Sequence, residues 1–212
     1  MKSSCILVSS HLNSLEKEEI ALKTLTSLKE SGLPIILVGN FPINTSLQEI
    51  ADYTLHVKEN PKVNRFMVIQ NGGKRKTLPD HGFAHLHQIS KGFYLCEALD
   101  YTYVYHFNYD VNIDKENLTK FLYKGLSNDF TWFSWGDDGI NLTLFSLPTK
   151  EFLNNIPPLL SFYRKNIDLP GITPDWYAER FIKRAFEIND VKFPPPFDGN
   201  IVYSLDWNSW EN

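Results

Sequence analysis

Two short runs contain no polar residue: Cys-Ile-Leu-Val at 5–8 and Pro-Ile-Ile-Leu-Val at 34–38. Between them, over 15–31, the apolar residues Leu15, Ile20, Leu22, Leu25 and Leu28 recur at helical spacing and stop at Gly32. A strand that is apolar on every residue must be covered on both faces, whereas a strand with one wet face alternates. Two such strands joined by a helix predict a parallel sheet with helices on both sides. The pattern continues with a short helix over 46–51, a short strand over 53–57, and a long helix over 81–100 with Phe83, Leu86, Ile89, Phe93 and Cys96 on one face. A strand over 101–107 follows, then a helix opened by Asp114 as N-cap. Residues 58–80 carry Asn60-Pro61, Asn71-Gly72-Gly73 and the basic run Lys74-Arg75-Lys76, which predict a loop or hairpin.

The second half changes character. Aromatic and alternating runs at 130–135 and 141–147 flank Gly136-Asp137-Asp138-Gly139, the pattern of an antiparallel hairpin. Short helices are expected over 149–155 and 159–166, split by Pro157-Pro158, and a clearer one over 175–188. In 212 residues there is no repeat and no linker, so one α/β domain is expected. With Lys+Arg 21 against Asp+Glu 25, the chain lacks the basic footprint of phosphate-backbone binding, and no nucleic-acid partner is expected. Cys5 and Cys96 fall in a strand and a helix and are expected to be buried free thiols. Together with the lack of a signal-peptide core or membrane-length apolar stretch, they predict a cytoplasmic protein. There is no G-x-G-x-x-G, P-loop or nucleophile-elbow motif.

Ligands of open α/β sheets bind outside the carboxyl ends of the strands. Three exits carry polar residues: Ser9-Ser10-His11, Gly39-Asn40 and Asn108-Tyr109-Asp110, and each also suits ordinary turn chemistry. The third delivers a carboxylate, Asp110, from the aromatic strand Tyr-Val-Tyr-His-Phe, with no lysine or arginine within several residues. A lone carboxylate there suits Mg²⁺ or Mn²⁺, which need only one or two protein carboxylates when a diphosphate supplies the rest.

The β-α-β-α-β order over 5–57, the long helix from His81 and the sequence Tyr-Val-Tyr-His-Phe-Asn-Tyr-Asp at 103–110 resemble the GT-A nucleotide-diphospho-sugar glycosyltransferases, over roughly residues 4 to 150. The resemblance implies a three-layer α/β/α sandwich with a mainly parallel sheet, a nucleotide-sugar half over 1–115 and a small acceptor half over 116–212. Asn108-Tyr109-Asp110 stands where that family has an Asp-any-Asp signature, so an amide replaces the first acid and Asp110 is the implied metal ligand. Ser9, Ser10 and His11 would lie against the base and ribose of a UDP- or GDP-linked sugar, with Asn40 beside them. His87 and Lys91 would reach ribose or diphosphate, and Lys74-Arg75-Lys76 would act as a lid. Pyrophosphorylases of the same fold open with a glycine-rich loop after the first strand, and Ser9-Ser10-His11-Leu12-Asn13 has no glycine.

Transfer to an acceptor with inversion requires a carboxylate to take the hydroxyl proton. Asp137, Asp138, Asp175 and Glu179 form the pool for it, and the same residues suit a hairpin turn or a first helical turn. Retention needs no such base, and stereochemistry stays open. The five tryptophans, at 132, 135, 176, 207 and 210, all follow Asp110, as acceptor-stacking surfaces or as an aromatic core. The small acceptor half predicts help from a homo-oligomer or companion protein in holding a glycan or other acceptor. The alternative reading is a catalytically inactive GT-A-like module that binds nucleotide or a protein.

Overall fold

The computed structural model describes residues 3–59, 63–68, 75–127, 130–135, 139–161, 178–198 and 202–203. β1 (Ser4–Ser10) leads through α1 (Leu15–Lys29) to β2 (Ile35–Gly39), and α2 (Thr45–Ile50) leads to β3 (Tyr53–His56). A separate antiparallel hairpin, β4 (Val63–Val68) with β5 (Arg75–Asp80), precedes α3 (His81–Ala98). Then come β6 (Tyr103–Asn108), β7 (Val111–Asn112), α4 (Lys115–Ser127), β8 (Thr131–Trp135), β9 (Gly139–Pro148), α5 (Thr149–Asn155), α6 (Ala178–Ile188) and β10 (Val202–Tyr203), which pairs with β7.

Six strands form one sheet in the order β3-β2-β1-β6-β9-β8. β3, β2, β1 and β6 are mutually parallel, and β9 runs against both β6 and β8. The mixed α/β sandwich with a mainly parallel sheet is thus the observed architecture. Alternation sorts the side chains of β1 and β6 onto two cores. Cys5, Leu7 and Val104 face the layer that includes α3, α5 and α6. Ile6, Val8, Tyr103, Tyr105 and Phe107 face the layer built around α1, α2 and α4. The expected hairpin at 130–147 forms, but its second strand lies inside the sheet rather than at its rim. The reason is burial: Ile140, Leu142, Leu144, Phe145 and Leu147 are apolar on both faces of β9 and need cover on both.

Local chemistry sets the boundaries. Ser14 accepts a hydrogen bond from Lys17 N at the start of α1, and Gly32 at φ 72° ends the turn that follows it. Asp114 caps α4 as expected, accepting from Asn117 N at 2.8 Å. Two glycines let helices touch the sheet. A Cβ on Gly92 would stand 2.6 Å from Leu7 Cδ1 and 3.1 Å from Val38 Cγ2. One on Gly125 would stand 2.5 Å from Tyr105 Cε1 and 3.1 Å from Ser146 Oγ. Cys5 and Cys96 are free and buried, with their sulfurs 3.6 Å apart between β1 and α3. No helix among the described residues is long and apolar enough to cross a membrane.

Tyr105 cannot yield to a methyl at 125, because its hydroxyl is tied to Leu122 O at 2.8 Å. Gly125→Ala is therefore expected to destabilise by about 1–3 kcal/mol through overpacking, net of the ~1 kcal/mol that alanine gains in a helix, as read by urea unfolding. An unchanged or raised midpoint would show that α4 can move off the sheet.

Candidate functional site

The chain runs from β1 outward to β2 and β3, then crosses back to place β6 on the other side of β1. The strand order therefore reverses between β1 and β6, and Ser9 and Asn108 are register partners at the carboxyl end of that seam. Period-two alternation turns Ser9, His106 and Asn108 to the same side as Cys5, Leu7 and Val104, toward α3. There α3 presents His85. Ser9 Oγ lies 2.9 Å from His85 Nε2, 2.9 Å from His106 Nε2 and 3.3 Å from Asn108 Oδ1. Asn108 Nδ2 in turn donates to Asp110 Oδ1 at 2.7 Å. His106 is fully buried and its ring stacks on Phe145 at 4.6 Å.

Asp110 is only 6 % exposed, and burial raises its pKa from 3.8 against the pull of Asn108 and of Lys17, which faces it from α1. Beside it, the hydroxyl of Tyr109 is buried with no hydrogen-bond partner among the described residues. At the end of β2, Asn40 Nδ2 lies 2.8 Å from His11 Nδ1, and Phe41 packs edge-on against the His11 ring at 5.0 Å. Gln88 binds the ends of the two strands together, donating to Ser10 O at 2.6 Å and Val38 O at 2.8 Å.

The structure thus gathers Ser9, Ser10, His11, Asn40, Asn108 and Asp110 at one edge of the sheet. Ser9 and Ser10 are turned inward, Ser10 Oγ donating to Val38 O at 3.0 Å, so the half-buried His11 and Asn40 are the members of that wall that reach its rim. His87 stands 3.5 Å from the exposed Glu59, and Lys91 is exposed; neither contacts the Ser9 cluster. Glu179 is half-buried in the first turn of α6. Asp137, Asp138, Asp175 and Lys74 lie outside the described residues, as do Trp176, Trp207 and Trp210. Trp132 belongs to the core: its indole N–H donates to Pro194 O at 2.8 Å and its ring meets Phe193.

Sequence reading missed His85, His106 and Gln88. His106 had a signal, a polar residue in an otherwise apolar strand two positions before Asn108 and hence on the same face. His85 and Gln88 had one only jointly, as polar residues one helical turn apart on the face that Ile89 and Gly92 bury. An open groove of about 830 Å³, lined by Phe130, Pro148, Glu151 and Phe193 among others, lies at the opposite edge of the sheet from this chemistry.

Among the described residues no cluster of three or more His, Cys, Asp or Glu is placed to hold a metal ion. Asp110 fits a cation only in the single-carboxylate manner, sharing it with a phosphate-bearing ligand. No protein-family model matches the chain, and no curated protein matches it by sequence. Among solved structures it is similar to a glycosyltransferase involved in the glycosylation of the major capsid of PBCV-1, with 16% identity and a TM-score of 0.49 over 84% of this chain and 74% of that one. It is also similar to the UDP-glucose pyrophosphorylase from Leishmania major, with 12% identity and a TM-score of 0.35 over 76% of this chain and about half of that one, 52%.

Burial, followed by the nearby His11, lowers the His85 pKa from 6.5 to about 4, and burial, followed by His85, holds that of His106 well below 6.5. The unfolded chain, with histidines near 6.5, then binds protons that the folded site refuses. The neutral pair's contribution to stability is full above about pH 6.5 and is lost as pH falls toward 4. Asp110, raised by burial, acts in the opposite sense. The urea midpoint is expected to fall over that window, and to fall less in His85→Gln; an identical decline in the variant would assign the effect to other groups.

Proposed function

We propose that this chain transfers a sugar from a UDP- or GDP-linked donor to a glycan or other acceptor. The observation that carries the reading is the placement of Ser9, Asn108 and Asp110 at the reversal of strand order between β1 and β6, with His11 and Asn40 beside them. A crevice outside the strand ends at such a reversal is where open α/β sheets hold nucleotides. In the proposed complex the half-buried His11–Asn40 pair borders the base and ribose, and the side of Asp110 not engaged by Asn108 faces the diphosphate. His87 and Lys91, which the resemblance would bring to ribose or diphosphate, lie further along α3 where the helix packs on Leu7 and Val38, away from the strand ends, and carry no role in this reading.

Asp110 is the residue to hold Mn²⁺ or Mg²⁺, with Asn108 bracing it. When bound, such a cation neutralises charge on the departing diphosphate. For the acceptor hydroxyl, an inverting route needs one of Asp137, Asp138, Asp175 or Glu179 to accept its proton as the oxygen attacks the anomeric carbon.

Thermal unfolding tests the reading. A hundredfold excess of UDP or GDP over its Kd, with Mn²⁺, is expected to raise Tm by about 5–10 °C, and Asp110→Ala to lose the metal-dependent part. No response to either nucleotide with metal would sink the nucleotide-sugar reading. Retained metal-dependent binding in the variant would move the cation elsewhere. Binding without transfer or hydrolysis of a UDP- or GDP-sugar would assign the chain to the inactive-module alternative.

A further inference from the structure

The contacts around Ser9 have a direction that the distances alone do not state. His106 is fully buried, and its Nδ1 has no hydrogen-bond partner among the described residues. A proton on Nδ1 would leave a buried donor with no acceptor, the costlier kind of orphan. The single proton of the neutral ring therefore sits on Nε2 and is donated to Ser9 Oγ.

At the other end of the hydrogen-bonded series, the group of Asn108 that touches Asp110 is its NH2, which donates to Oδ1 at 2.7 Å. That turns Asn108 Oδ1 back toward Ser9, where it needs a donor, and the hydroxyl of Ser9 is the one within reach at 3.3 Å. Ser9 has one proton, and it is now assigned. His85 Nε2, 2.9 Å away, must therefore also donate. Two imidazole N–H groups give to Ser9, Ser9 gives to Asn108, and Asn108 gives to Asp110. The alternation of β1 and β6 makes this possible by placing Ser9, His106 and Asn108 on one face, under α3.

We propose that His85 and His106 are positioning residues: acting through Ser9, they lock the amide of Asn108 with its oxygen toward the sheet and its NH2 on Asp110. Asn108 then serves as a donor that orients the carboxylate and offers no ligand oxygen, so a diphosphate-borne cation meets one protein carboxylate, not two side-chain oxygens. This consequence for ligand binding rests on the nucleotide-sugar reading of the edge; the direction of the chain does not.

NMR separates the two. In the whole protein at neutral pH, long-range ¹H–¹⁵N spectra are expected to show His85 and His106 as neutral rings protonated on Nε2. A ¹³C titration of the Asp110 carboxyl is expected to shift upward by on the order of one pH unit in Ser9→Ala, because the freed amide no longer favours the ionised form. His85→Leu, at a half-buried position, is expected to shift it in the same direction, and His85→Gln, which keeps a donor, to restore the wild-type midpoint. A purely structural role for His85 would not separate Leu from Gln in this readout. An unmoved Asp110 midpoint in both Ser9→Ala and His85→Leu, or His106 protonated on Nδ1, overturns the proposal. A moved midpoint with no UDP or GDP response in the wild type upholds the chain and overturns the nucleotide-sugar reading instead.

Discussion

From Cys5 to Ser10, β1 is hydrogen-bonded along both edges and covered on both faces, so nothing polar on that stretch can turn to water. For Ile6, Leu7 and Val8 this is favourable burial. For Ser9, fully buried at the end of the strand, it is a demand: the hydroxyl must find partners within the protein or lose its hydrogen bonds outright. The fold meets the demand from two elements at once, with His106 and Asn108 from the neighbouring strand and His85 from α3. One satisfied hydroxyl thus ties the core to the place where the strand order reverses.

Meeting that demand requires α3 to lie close against the sheet. Gly92 removes the side chain that would strike Leu7 and Val38, and one helical turn earlier Gln88 reaches the carbonyls of Ser10 and Val38. Near the far end of the same helix Cys96 packs its sulfur against that of Cys5. A helix seated at three points along its length has little freedom to slide, so the distance from His85 to Ser9 is set by core packing and not by a loop. The edge therefore has two tiers. Its floor is neutral and tied to the core: the buried Ser9 and His106, with the half-buried His85 and Asn108. The groups able to meet a ligand are the half-buried His11 and Asn40 and the more deeply set carboxylate of Asp110, with Lys17 behind it.

Much of the architecture was legible because it rests on short-range chemistry. The apolar runs at 5–8 and 34–38 became β1 and β2, the helix at 149–155 appeared with those boundaries, and Asp114 caps α4. The hairpin at 130–147 was legible as a pair, but the seat of β9 between β6 and β8 was not, since periodicity reports which faces are buried and not which neighbour buries them. At the candidate site, the strand-end residues were legible and their orientations were not. Ser9 and Ser10 read as a wall facing a ligand and prove to be turned inward, while His85 and His106 drew no notice because neither sits at a strand exit. Trp132, open to either reading, is held in the core by Pro194 and Phe193.

The division has a physical cause. Alternation, helical spacing and capping act within a few residues, so the amino-acid order alone determined the α/β class, the strand exits and the presence of a carboxylate, Asp110, just beyond one of them. The contacts that give Asp110 its surroundings join residues far apart in the chain: Ser9 to His85 across 76 positions and to His106 across 97. Which long-range pairs form depends on how strands order and how closely a helix can approach them. The strand reversal and the close seat of α3 at Gly92, which only the tertiary structure decided, are what turned three polar strand ends and two unremarked histidines into one hydrogen-bonded site.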